Sequence, residues 1–180
     1  MLRMALIPVF ASLLYYGNAK LALFIFVMAA LSDTFDGFVA RRYKQETALG
    51  SIIDPIADKL LMTTAFIMLT MPRSMDPVRH LPIPFWVTAT VIGRDILIIT
   101  SAAAINFMTG FRDFRPSLLG KMSTVIQMLA ITLILIAAVT KITIFLPTTY
   151  VVVVFFAVIS GVHYIFQVAG LMKESDSERQ

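Results

Sequence analysis

Between Ser32 and Lys59 the chain reads SDTFDGFVARRYKQETALGSIIDPIADK, and four aspartates stand in it: Asp33, Asp36, Asp54 and Asp58. On a helix Asp33, Asp36, Gly37, Ala40 and Arg41 fall at i, i+3, i+4, i+7 and i+8, which gathers them on one stripe. Gly50, Asp54 and Asp58 recur at intervals of four and also stack along one face, with Pro55 expected in the opening turn, where its missing N–H matters least. Eight residues separate Arg41 from Gly50. That is enough for a short turn, so an antiparallel hairpin with opposed acidic faces is expected, bringing all the carboxylates together. Clustered carboxylates repel one another. Arg41 and Lys59 could neutralise part of that charge, but hard divalent cations with oxygen ligands do so best, and Mg²⁺ commonly binds carboxylates together with substrate phosphates. The chemistry that follows is metal-assisted phosphoryl transfer. Cations stabilise the attacking and leaving oxygens, a carboxylate takes the proton of an attacking hydroxyl, and small residues let a ligand approach the backbone.

The elements that must position this stretch are written in the rest of the chain. Of 180 residues, 58% are hydrophobic and 14% charged, with mean hydropathy +0.84, a balance that a soluble domain with a polar surface hardly shows. Apolar runs between polar punctuation predict an all-α, polytopic membrane protein, a bundle of six transmembrane helices at about 2–16, 20–42, 51–71, 83–107, 117–140 and 147–172. Residues 1–172 are expected to form a single transmembrane domain, and 173–180 a frayed polar tail. The first segment has the apolar core of a signal peptide without a convincing cleavage site after it, and is expected to be a retained helix.

Six crossings put both termini on one side. The loops on that side carry Arg41, Arg42, Lys44, Arg112, Arg115 and the nearby Lys121, whereas the opposite loops carry Lys20, Arg73, Arg79 and Lys141. The positive-inside rule therefore predicts cytoplasmic termini and a cytoplasmic acidic stretch. Trp86 suits the opposite interface. The net charge of +4 reads as loops meeting anionic headgroups rather than as a nucleic-acid surface. The chain has no cysteine, which excludes disulfides, zinc-thiolate sites and a cysteine nucleophile.

Other readings of the acidic stretch fit less well. Helix caps or interhelical salt bridges would explain one aspartate, but each costs about 2.5 to 3.5 kcal/mol at mid-membrane, and stability does not call for so many. A cation transporter would spread its acids through the depth of the bilayer and often carries an inverted repeat. Here the acids cluster at one end of two adjacent spans. A silent lipid-binding scaffold would more plausibly have lost one of them.

The pattern Asp33-x2-Asp36-Gly37-x2-Ala40-Arg41-x8-Gly50-x3-Asp54-x3-Asp58 resembles the signature of the CDP-alcohol phosphotransferase family at every fixed position. The six-helix layout and the spacing of Arg3 and Pro8 extend the likeness over nearly the whole chain, although family members usually have a few more polar residues ahead of that arginine. The resemblance implies an enzyme that transfers the phosphatidyl group of CDP-diacylglycerol to an alcohol and releases CMP. It implies that Asp33, Asp36 and Asp54 hold two divalent cations, Mg²⁺ or Mn²⁺, on the diphosphate, and that Asp58 completes the acidic site and is the general base. Gly37, Ala40 and Gly50 would line the nucleotide site, and Arg41 would contact phosphate. A homodimer with a cavity open to the cytoplasmic leaflet is also implied.

The acceptor is to be read from spans four and five. Arg94 and Asp95 stand inside an apolar run, while Arg115, Lys121, Ser123, Thr124 and Gln127 lie at the cytoplasmic start of the next. A structural ion pair explains the first group as readily as acceptor binding does, and snorkelling to headgroups explains Lys121. Enzymes similar to phosphatidylglycerophosphate synthases supply further basic residues for the phosphate of glycerol 3-phosphate, at positions held here by Ala102 and Ser123. A dianionic phosphomonoester wants several charge-assisted donors, whereas the phosphodiester of phosphatidylglycerol needs fewer. Together with a resemblance to eukaryotic-type cardiolipin synthases, carried by ALGSIIDPIADKLL, LPIPFWVTATVIGRDILI and Lys121 to Thr124, this deficit favours phosphatidylglycerol as acceptor. Glycerol 3-phosphate is the alternative. Arg94, Arg115, Lys121 and Thr124 are the expected acceptor-binding residues.

Overall fold

The computed structural model describes the backbone of residues 2–43, 48–71, 83–109 and 118–177. It is all-helical, with α1 Leu2–Tyr15, α2 Ala19–Tyr43, α3 Ala48–Thr70, α4 Phe85–Thr109, α5 Leu118–Thr140 and α6 Leu146–Ser177. Each expected span has its helix. At about 1.5 Å per residue, α2 to α6 reach beyond the roughly 30 Å hydrocarbon core, whereas α1 covers only about 21 Å. Among the described residues, two helices are both long and apolar enough to cross a membrane, Leu118–Thr140 and Leu146–Val168; the apolar stretches Met4–Tyr15 and Ala19–Ala30 are shorter.

Two boundaries differ from the sequence expectation. Helix α3 begins at Ala48, not near residue 51, so Pro55 stands inside the helix rather than in its first turn. Without a Pro55 N–H, the carbonyl of Ser51 lacks its usual partner one turn on. Helix α6 runs on to Ser177, so residues 173–177 continue as helix where a frayed tail was expected. Residues 173–177 hold neither proline nor glycine, and Lys173 and Glu174 are good helix formers.

The chain divides into two compact units, Met1–Phe85 with Met128–Pro147, and Trp86–Gln127 with Thr148–Gln180. In the first unit α1 packs on both α2 and α3. Its core joins Phe10 and Leu14 of α1, Ala22, Phe26 and Ala29 of α2, and Ala57, Leu61, Met62, Ala65, Phe66 and Leu69 of α3, all buried. The rings of Phe10 and Phe26 lie 5.6 Å apart between centroids, in a tilted arrangement that suits the aromatic quadrupole. In the second unit the buried faces are more polar. They carry Thr88, Arg94 and Asp95 on α4, Ser123 and Gln127 on α5, and Ser160 on α6.

The turn between α1 and α2 is fixed by local chemistry. Gly17 takes φ +74°, its N–H donates to the Leu14 carbonyl at 3.0 Å, and that of Asn18 to the Leu13 carbonyl at 2.8 Å; these are the crossed bonds of a left-handed helix cap. Asn18 then caps α2, its Oδ1 accepting from the Leu21 N–H at 3.4 Å. A Cβ on Gly17 would meet nothing within 4 Å, so Gly17→Ala costs conformational strain alone. The expected loss is about 1 kcal/mol, read as a lower thermal midpoint of the detergent-solubilised protein.

Outward faces carry Phe24, Ile99, Leu129, Phe155 and Phe166, all largely exposed, and such area suits lipid rather than water. Hydroxyls on exposed residues turn back to their own helices. Ser12 donates to the Pro8 carbonyl, Thr90 to that of Trp86, Thr100 to that of Ile96 and Thr140 to that of Ile136, which satisfies these four donors within their own helices. Trp86 is half exposed beside Phe85 at the start of α4, as a ring at headgroup depth should be.

Candidate active site

The acidic stretch is built by the registers of α2 and α3. The buried line of α2 runs through Ala22, Phe26 and Ala29, and at 3.6 residues per turn its continuation passes through positions 33, 36, 37 and 40. These are Asp33, Asp36, Gly37 and Ala40, in the same unbroken helix. The inward line of α3, read backward from Leu69 through Ala65 and Met62, reaches positions 58, 54 and 50. Asp58 thus occupies the middle of that stripe, and its side chain is half-buried, as is that of Lys59.

By register, positions 33, 36, 54 and 58 thus continue the lines that α2 and α3 use for packing. Positions 33 and 36 lie in the C-terminal half of α2 and positions 54 and 58 in the N-terminal half of α3, with Asp33 and Asp58 near mid-helix and residues 44–47 between the two helices. The side chains of Asp33, Asp36, Gly37, Ala40, Arg41, Gly50 and Asp54 are outside the described residues; their backbones are helical. Carboxylate oxygens as a class suit a hard divalent cation; of the four aspartates, only the side chain of Asp58 is among the described residues.

The expected acceptor residues fall in the second unit, apart from Arg115, which is outside the described residues. Arg94 is buried with Asp95, and its Nη1 donates to Asp95 Oδ1 at 2.8 Å in an ion pair. Its Nη2 donates to Ser160 Oγ at 2.6 Å and to the Gly120 carbonyl at 3.4 Å. One guanidinium thus touches α4, α5 and α6. Gly161 lies beside the arginine stem, where a Cβ would stand at ordinary contact, 3.7 Å from Arg94 Cγ.

Lys121, next to Gly120 in the first turns of α5, is exposed. Thr124 is half-buried and donates its hydroxyl to the Gly120 carbonyl at 3.1 Å, so this oxygen accepts from both Arg94 and Thr124. Ser123 is fully buried, and its Oγ accepts from Gln127 Nε2 at 3.4 Å. Sequence reasoning missed Ser160. Its only signal was a serine within the apolar run of α6, where a polar side chain needs an internal partner.

Comparison with known proteins gives consistent matches. The family model described as CDP-alcohol phosphatidyltransferase matches residues 1–162. A protein of Salmonella typhimurium named CDP-diacylglycerol–glycerol-3-phosphate 3-phosphatidyltransferase is 35% identical over 135 residues, covering 72% of this chain and 69% of its own. One of the same name from Blochmanniella floridana is 33% identical over 135 residues, 72% of this chain and 66% of its own. A protein of Mycobacterium tuberculosis named probable phosphatidylglycerophosphate synthase is 31% identical over 172 residues, 92% of this chain and 77% of its own.

Proposed function

The chain belongs to the CDP-alcohol phosphatidyltransferase family and is an enzyme of that class, and from this premise we propose that it joins CDP-diacylglycerol to glycerol 3-phosphate, forming phosphatidylglycerophosphate and CMP. The observation that carries the choice of acceptor is the naming of its relatives, among them two glycerol-3-phosphate 3-phosphatidyltransferases at 33% and 35% identity. The sequence reading ranked phosphatidylglycerol first, on cationic groups missing at Ala102 and Ser123. The relatives support the opposite order. Cations elsewhere, Lys121 and Arg115 foremost, then meet the acceptor's phosphate.

In this reading Asp33, Asp36 and Asp54, with Asp58 beside them, would hold two divalent cations, Mg²⁺ or Mn²⁺. When bound, these neutralise the diphosphate and the departing CMP oxygen. Arg41 contacts phosphate, and Gly37, Ala40 and Gly50 leave room for the nucleotide. Asp58 accepts the proton of the acceptor hydroxyl as its oxygen bonds to the lipid-side phosphorus. The bond from that phosphorus to the CMP oxygen breaks, and CMP leaves with the electron pair. The half-buried position of Asp58 in the inward line of α3 supports this assignment.

Residues 1–172 act as one transmembrane domain in this proposal, a reading supported by the family match over 1–162. Its six helices cross the bilayer, with both termini and the acidic stretch toward the cytoplasm, and a bacterial inner membrane is the setting. The lysine and arginine distribution of the loops supports that orientation. A homodimer is the assembly that the family resemblance supports.

The purified protein, given labelled CDP-diacylglycerol with Mg²⁺ or Mn²⁺, is expected to release CMP and form a phosphatidylglycerophosphate when glycerol 3-phosphate is supplied. Lipid product from phosphatidylglycerol alone would overturn this acceptor and restore cardiolipin formation.

A further inference from the structure

Arg94 stands deep in the second unit, 7% exposed, and its hydrogen bonds are made to the protein itself. Asp95 matches its charge at 2.8 Å, so the pair offers a dianionic acceptor no net attraction. Its other contacts lead elsewhere. Through Nη2 the guanidinium reaches Ser160 on α6 and the Gly120 carbonyl on α5, the oxygen that also takes the Thr124 hydroxyl. Lys121, exposed and carrying an unburied charge, directly follows Gly120. The planar fork of an arginine can serve these partners at once, which a lysine ammonium on a single stem does poorly.

The geometry points to Arg94 as a positioning residue for the acceptor: it fixes the first turn of α5 through Gly120, and thereby the place of Lys121, which meets the acceptor's phosphate. This rests on the phosphate-bearing acceptor proposed above. Specificity for the acceptor then depends on a residue that never touches it. Arg94 Nε–H, also buried, has no acceptor among the described residues, and a direct contact through that donor is the competing role.

A double-mutant cycle separates the two roles. Wild type, Arg94→Lys, Lys121→Gln and the double variant are assayed for CMP release, with KM for acceptor, KM for CDP-diacylglycerol and kcat measured separately. The loss of one charge-assisted contact to phosphate corresponds to about a tenfold rise in acceptor KM, expected in each single variant with donor KM unchanged. The double variant is expected to match Lys121→Gln within about twofold, because residues acting through one another are not additive. A multiplied loss, about a hundredfold, would overturn the proposal in favour of direct contact. A fall in kcat with both KM values altered alike would reduce Arg94 to a structural brace.

Should Arg94→Lys fail to fold, Gly161 gives a second handle. Gly161→Ala places its methyl at ordinary contact, 3.7 Å from Arg94 Cγ, and is expected to leave kinetics unchanged. Gly161→Leu displaces the arginine stem with its charge intact and is expected to raise acceptor KM alone; an unchanged acceptor KM there would also overturn the proposal. The cycle is run with whichever acceptor supports CMP release in the wild type. Failure of the glycerol 3-phosphate reading therefore shows in the wild type, and failure of this inference only in the variants.

Discussion

Replacing Asp58 with asparagine is expected to stop turnover while leaving CDP-diacylglycerol bound. The two side chains have nearly the same shape, so the helix and its packing survive. What is lost is the capacity to take a proton, a contribution of about 10²- to 10⁴-fold for a positioned general base. Asp58 sits in the middle of the inward stripe of α3, half-buried, so bulk water is a poor substitute. Single-turnover CMP release and metal-dependent binding of labelled donor, measured on the same preparation, check this directly. Near-normal CMP release would remove the base assignment. Asp54→Ala is the contrasting case, in which metal-dependent donor binding itself fails.

The second large effect is on stability. Asp95→Ala removes the partner of a buried arginine, and a charge left uncompensated in such a place typically costs about 3 to 5 kcal/mol. Ser160 and the Gly120 carbonyl still solvate the guanidinium, but neither carries a negative charge. A marked drop in thermal midpoint in detergent is the expected result. Replacing both members with apolar residues, Arg94→Met with Asp95→Leu, should recover much of that loss, because an ion pair often contributes little over a well-packed apolar pair. The double variant is expected to remain poor at using acceptor. Stability and acceptor recognition are thus expected to part company at one side chain.

Much of the fold was legible because each helix is a long apolar run closed by polar residues. The capped turn at Gly17 and Asn18 is equally local in its chemistry, though the sequence reading did not single it out. The start of α3 was misplaced because Gly50 and Pro55 are ordinary punctuation, and only the continuous helix from Ala48 to Thr70 shows that the chain passes through both. Helix α6 passes into the polar tail as far as Ser177: charge along those residues suggests solvation, and solvation does not by itself stop a helix.

The residues alone determined the reaction class. Aspartates at intervals of three and four are related by helical periodicity, a property that neighbours in the chain share whatever the rest of the protein does. The same periodicity puts positions 33, 36, 54 and 58 in register with the packing lines of α2 and α3. The role of Arg94 had no such local signature. Its partners Gly120 and Ser160 lie 26 and 66 residues away, and no spacing rule connects positions that far apart. Only the packing of α4, α5 and α6 decided that this arginine serves the protein's own backbone and hydroxyls, because contacts between distant segments depend on how whole helices meet.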